Sequence, residues 1–88
     1  MIKIAYIGKL GGFRLRVRFS DCSEGIHDFS AMVKEQGSML EPLRDATYFA
    51  RVFLEFGAPT WPNGFDIAPE SLRREMVAAG ELTRVATE

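Results

Sequence analysis

The sequence predicts an α+β fold: a small sheet built on an N-terminal β-hairpin, one or two short helices, and a C-terminal helix. Three stretches carry that expectation. "FRLRVRFS", residues 13–20, alternates Phe13, Leu15, Val17 and Phe19 with Arg14, Arg16 and Arg18, the period of two that a half-buried strand requires. "IHDFS", residues 26–30, follows the turn-rich "DCSEG" and returns as its partner. "APESLRREMVAAG", from Ala68 to Gly80, opens with a proline suited to the first helical turn and places Leu72, Met76 and Ala79 on one face.

The elements follow in order. "IKIAYI", residues 2–7, is expected as a strand ending at Gly8, and "KLGG" as the turn after it. Gly8, Gly11 and Gly12 lack dinucleotide-motif spacing and precede no helical pattern, so they read as turn punctuation rather than a phosphate cradle. Within "DCSEG", Gly25 is the residue expected to take a positive φ at a bulge. Parity sets the hairpin register. Pairing even positions with even ones keeps Phe29 on the face of Val17 and Phe19 and sets Asp28 among the arginines. The odd alternative would bury the Asp28 carboxylate unpaired, which is far too costly.

"AMVKEQG" predicts a short helix with Ser30 as N-cap and Gly37 as stop. Pro42 is expected to hold Glu41 extended, and Asp45 to cap a turn or two reaching Phe49. "ATYFARVFLEF" carries both periods: Phe49, Val52, Phe53 and Phe56 at helical spacing, and Val52, Leu54 and Phe56 in alternation. The β-branched and aromatic content after Arg51, with Gly57 and Pro59 behind it, favours a short helix giving way to a strand. The last helix is expected over about residues 69–79, with Glu70 at the positive end of its dipole, and residues 81–88 as a frayed tail.

With 88 residues the chain reads as a single domain; one this short buries only about 60% of its unfolded surface, so each large apolar residue matters. Hydrophobic residues at 47% and charged residues at 26% match a globular protein rather than a disordered one. Eleven Lys and Arg against twelve Asp and Glu leave a net charge of -1, without the basic footprint that direct nucleic-acid binding needs. A lone cysteine, Cys22, rules out an intrachain disulfide and fits a reducing compartment. "MIKIAYIG" is too short for a signal peptide and no stretch reaches the length of a membrane span, so a soluble, cytoplasmic protein is expected.

Candidate chemistry is sparse. One His and one Cys do not make a metal site, and no carboxylate loop motif is present. Ser20, Asp21 and His27 are the ingredients of a hydrolytic triad, but the register points His27 toward the apolar face and Ser20 away from it, and no "GxSxG" elbow occurs. Neither a catalytic set nor a cofactor site is therefore assigned. The arginine face of Arg14, Arg16 and Arg18, with Lys9 near it, is a candidate anion or partner surface; its plainer reading is a solvated face paired with Asp28 and nearby glutamates. Cys22, between Asp21 and Ser23 at a turn tip, has no neighbouring cation to activate its thiol. In "WPNGFDIAPESL", residues 61–72, the plainer reading is structural: the indole packs on a thin core, Asn63-Gly64 reverses the chain, and Asp66 accepts backbone N–H groups. The functional one is a recognition surface of Trp61, Asn63 and Asp66.

Taken together, "FRLRVRFSD…EG…DF", "PLRD…F…V" and "WPNGFDIAPESL" resemble the small prokaryotic family called domain of unknown function 2442, over about residues 13–72. Trp61, Asn63, Gly64, Asp66, Pro69 and Leu72 are the most specific part of the match, and Phe19, Asp21, Gly25 and Asp28 agree in order and spacing. Two departures stand out. Cys22 occupies the place where the family usually has a glycine, which bears on any turn needing a positive φ there, and the last helix runs on past Leu72. The resemblance implies a compact α+β domain with a mostly antiparallel sheet and carries over no catalytic residue. It also implies a non-enzymatic interaction module, with another small protein or a second copy of itself as partner, as in suspected toxin–antitoxin gene pairs. Some members precede a helix-turn-helix segment. The residues after the matching block are too few for such a unit here, so any DNA role is expected to run through a partner.

Overall fold

The computed structural model of the chain describes residues 1–84. Its elements are β1 (Ile4–Lys9), β2 (Arg14–Phe19), β3 (Ser23–Asp28), α1 (Ser30–Val33), a 3-10 turn at Pro42–Arg44, α2 (Ala46–Phe49), β4 (Phe53–Glu55), β5 (Ala58–Thr60), α3 (Pro69–Ala78) and β6 (Thr83–Arg84). The strands make a four-stranded antiparallel sheet ordered β1-β2-β3-β6 and a two-stranded sheet of β4 and β5. The α+β class, the antiparallel sheet, its opening hairpin and the C-terminal helix all follow the sequence.

The hairpin takes the even register: Arg14 faces Asp28, Leu15 faces His27, Val17 faces Gly25 and Arg18 faces Glu24. Leu15, Val17 and Phe19 are buried on one side, and the arginines line the other. Phe29 shares the apolar side but sits across from Phe13, whose carbonyl accepts its N–H at 2.7 Å. The core gathers these side chains with Ile4, Val33, Leu43, Phe49, Val52, Trp61, Leu72 and Met76. Every buried side-chain nitrogen or oxygen among the described residues has a hydrogen-bond partner, as a core of this size requires.

The β2–β3 turn differs from expectation. Cys22, not Gly25, takes the left-handed conformation, with φ 71°. The loop is short because Asp21 accepts the Ser23 N–H and hydroxyl at 3.0 and 2.6 Å, closing an Asx turn that leaves the positive φ to Cys22. Gly25 is instead an ordinary strand position whose missing side chain is essential. A Cβ there would overlap the Glu81 carbonyl oxygen and touch Leu82. It lets the segment after α3 cross closely over β3.

That crossing also corrects the expected frayed tail. Gly80, at φ 70°, ends α3 with a Schellman motif: Glu81 N–H reaches the Met76 carbonyl at 2.9 Å and Gly80 N–H that of Val77 at 3.0 Å. Leu82 then packs on the core, and Thr83 and Arg84 pair with Glu24 and Ser23. Residues 85–88 of that tail lie outside the described residues. Ala79, expected on the buried face of the helix, is its exposed C-cap.

Smaller corrections have local causes. Ser30 opens α1 rather than capping it; the cap position is Phe29, and Asp28 accepts the Ser30 N–H and hydroxyl. That helix ends at Val33, well before Gly37, where the Arg44 guanidinium takes the Val33 and Glu35 carbonyls at 2.6 and 2.8 Å. Glu41 is helical (φ −57°, ψ −48°) despite the following proline; the Arg44 N–H bond to its carbonyl at 3.1 Å offsets the modest pre-proline bias. Asp45 caps α2 through the Thr47 N–H, and α2 gives way to β4, both as the sequence suggests. The pairing of β4 with β5 was not legible, because Pro59 argues against a strand.

Two substitutions test the turn and the crossing. Cys22→Gly should relieve the left-handed strain and stabilise the domain by about 0.5–1 kcal/mol, seen as a rise of a few degrees in Tm. Gly25→Ala should lower Tm and remove the hydrogen-exchange protection of the Thr83 amide, because the crossing segment cannot withdraw from β3 without losing its pairing.

Candidate functional site

The block "WPNGFDIAPESL" is a folding corner with few free groups. Trp61 is fully buried, and its indole N–H donates to the Phe49 carbonyl at 2.9 Å. The Trp61 carbonyl accepts the Gly64 N–H, and the Trp61 N–H reaches the Phe65 carbonyl, each at 2.9 Å, with Gly64 at φ 92°. This is a tight turn with a glycine bulge, for which Pro62 and Asn63 are well suited. Asn63 ties the turn on both sides, accepting the Phe65 N–H and donating to the Met39 carbonyl at 3.0 Å. Asp66 does not have the expected role. It bridges to Thr60 through its backbone, while its carboxylate is exposed and accepts no hydrogen bond from the described residues. Pro69 opens α3, and Leu72 is buried against the core. The recognition trio of Trp61, Asn63 and Asp66 is therefore not assembled on one surface.

The arginine face is largely self-neutralised. Glu24 bridges Arg16 at 3.2 Å and Arg18 at 2.9 Å, and hydrogen bonding from Arg18, then Arg16, holds its carboxyl below the usual range. Arg14 lies opposite Asp28, whose carboxyl is lowered first by the Ser30 hydroxyl and backbone bonds, then by Arg14. Arg18 also lies over the Tyr6 ring at 5.9 Å.

Ser20, Asp21 and His27 are not brought together. The Ser20 hydroxyl accepts the Lys3 N–H at 3.1 Å. His27 Nδ1 meets Glu81 at 2.8 Å and its Nε2 lies 3.5 Å from Glu75. Asp21 joins Ser23 and the Arg73 guanidinium, at 2.7 Å, and its carbonyl takes the Arg84 guanidinium at 2.9 Å. It thus fastens the β2–β3 turn to both α3 and β6. Among the described residues no three His, Cys, Asp or Glu side chains gather as metal ligands, and no helix is long and apolar enough to cross a membrane.

A different feature was missed in the sequence. The two residues joining β4 to β5 are Phe56 and Gly57, at φ 53° and 80°, so both are left-handed as in a type I′ hairpin turn. Phe56 is 89% exposed. The tip rests on the start of β1: Ile4 N–H donates to the Gly57 carbonyl at 2.9 Å, and Gly57 lies so close to Lys3 that a Cβ would overlap its side chain. Beyond Ile4, β1 pairs with β2 alone among the described residues. The alternation of an antiparallel ladder then leaves the amides and carbonyls of Ile7 and Lys9 facing outward. The Phe-Gly pair escaped notice because this turn ordinarily takes Asn or Asp before the glycine.

The chain is matched over residues 8–78 by the family model of a protein of unknown function, DUF2442. It belongs to that family. The match encloses both the hairpin and the "WPNGFDIAPESL" block. No curated protein and no solved structure matches the chain. In this DUF2442 domain the matched residues with the firmest role, Trp61, Asn63 and Asp21, hold the fold together through bonds to distant segments, and Gly64 closes the turn after Trp61 locally.

Asp21 gives a pH test. Its carboxyl is lowered to about 2, first by the Ser23 hydroxyl and backbone bonds and then by Arg73. A depressed folded-state value means stability that is complete above the unfolded value and lost as pH falls through the folded one. Asp21→Asn should therefore cost on the order of 1–2 kcal/mol at neutral pH, allowing for solvent screening. In denaturant titrations the gap from wild type should close between about pH 4 and pH 2.

Proposed function

We propose that this domain is a non-catalytic protein-interaction module that binds a second small protein through the open edge of β1 and the β4–β5 tip beside it. The observation that carries this reading is Phe56. An aromatic residue in a left-handed turn position costs about 1–2 kcal/mol, and with Phe56 89% exposed its ring adds no burial to offset that cost. An exposed aromatic of this kind is the usual anchor of a binding hot spot. The outward amides of Ile7 and Lys9 offer backbone pairing next to it, as in strand addition. A partnership within a small prokaryotic gene pair, of the toxin–antitoxin kind, is the setting the family resemblance suggests. The arginine face supports a nucleic-acid reading less well, since Glu24 already occupies Arg16 and Arg18.

Phe56→Asn separates binding from folding. Asn-Gly is the preferred pair for this turn, so the variant should fold with a Tm equal to or above that of wild type. Tagged wild type recovered from its native cells should carry a stoichiometric small protein, and the variant should lose it. A variant that retains the same partner, or wild type recovered as a monodisperse monomer, would sink the reading.

A further inference from the structure

Away from β1, a groove of about 320 Å³ opens between the end of β3, α1 and the N-terminal half of α3. Its floor is apolar: Phe29 and Leu72 are each 2% exposed, and Met32 and Ile67 pack beside them. Its rim is acidic: Asp28, Glu35 and Glu75 line it beside His27, the Asp28 carboxylate already holding Ser30 across from Arg14, and no lysine or arginine among the described residues lines it. The Glu35 carboxylate accepts no hydrogen bond from the described residues, and Glu75 has only His27, at 3.5 Å.

We propose that this groove receives a basic side chain, arginine or lysine, presented by an extended segment of a partner protein. The two halves of such a side chain match the two halves of the groove. Its methylene stem would cover the Phe29, Met32, Ile67 and Leu72 surface, and its charged head would lie between the rim carboxylates. Other occupants fit poorly. An anion meets the like charges of Glu35 and Glu75, and a wholly apolar group would strip water from the carboxylates without replacing it. A bare metal ion is too compact, because the acidic groups are not gathered closely enough to share one. The volume is near the lower end of the range of about 300–1,000 Å³ for small-ligand sites, in keeping with one long side chain rather than a multi-residue ligand. The site does not rest on the β1-edge reading, and either can fail without the other.

The test is an amide chemical-shift titration of the 15N-labelled protein with N-acetyl-arginine-N′-methylamide, using the norleucine analogue as control. Blocked arginine should give saturable shifts centred on Phe29, Met32, Ile67 and Leu72, with Kd on the order of 1 mM, weakening as salt is raised. The double variant Glu35→Gln, Glu75→Gln changes two exposed side chains. It should keep the wild-type Tm and weaken binding roughly tenfold or more. Three results would overturn the proposal. They are shifts equally strong with norleucine, shifts scattered over the acidic surface and indifferent to the double variant, and no saturable shift up to roughly 20 mM.

Discussion

Burial of the Trp61 indole is the constraint around which the rest of the domain is arranged. The ring is fully enclosed, so its N–H must find an acceptor inside, and it finds the carbonyl of Phe49. A buried donor without a partner would cost about 1–3 kcal/mol, a large share of what a chain of this length can spare. That bond requires α2 to end at Phe49 with its last carbonyl directed inward, and the chain then turns into β4. The same two rings link the sheets. Trp61 packs against Phe49 at 5.5 Å and Phe65 at 5.8 Å, and Phe49 meets Phe13 at 5.3 Å and Phe29 at 5.7 Å. A continuous run of aromatic contacts thus joins the small β4–β5 sheet to the four-stranded one.

Among the described residues, two other than glycine adopt left-handed backbone conformations, Cys22 and Phe56, and the contrast between them is informative. The Cys22 conformation follows from Asp21, which must close the turn on Ser23 while holding Arg73 of α3. The strain is offset by contacts the fold uses elsewhere. Phe56 has no such return, since its ring makes almost no intramolecular contact. Backbone strain therefore closes a turn in both places, but among the described residues only the Cys22 turn recovers it in side-chain contacts.

Much of the architecture was legible because it depends on short-range rules. Alternation in "FRLRVRFS" and the cost of burying Asp28 are enough to choose the hairpin register, and Asp45, through its carboxylate, and Gly80, through its backbone, punctuate α2 and α3 by bonds within a few residues. Errors came where a residue answers to something distant. Gly25 looks like turn punctuation until Glu81 is seen crossing it. Residues 81–84 look like a tail because their partners in β3 lie some sixty positions earlier. Pro59 disguised β5, whose pairing with β4 survives because the sheet is only two strands wide. For the candidate surfaces the balance was worse. The arginine face and the "WPNGFDIAPESL" block were visible as patterns, whereas the Phe56 tip and the acidic-rimmed groove were not.

The sequence by itself determined the class of fold, the pairing parity of the first hairpin, the limits of the last helix and the family to which the chain belongs, because periodicity, capping and turn chemistry act locally. Only the tertiary structure decided which groups remain free. Whether Glu24 neutralises the arginines, whether Trp61 is an anchor or a surface, and whether Phe56 has a neighbour are questions of which segments meet across the core. Burial and hydrogen bonding between remote residues answer them, and no local pattern in the chain encodes those meetings.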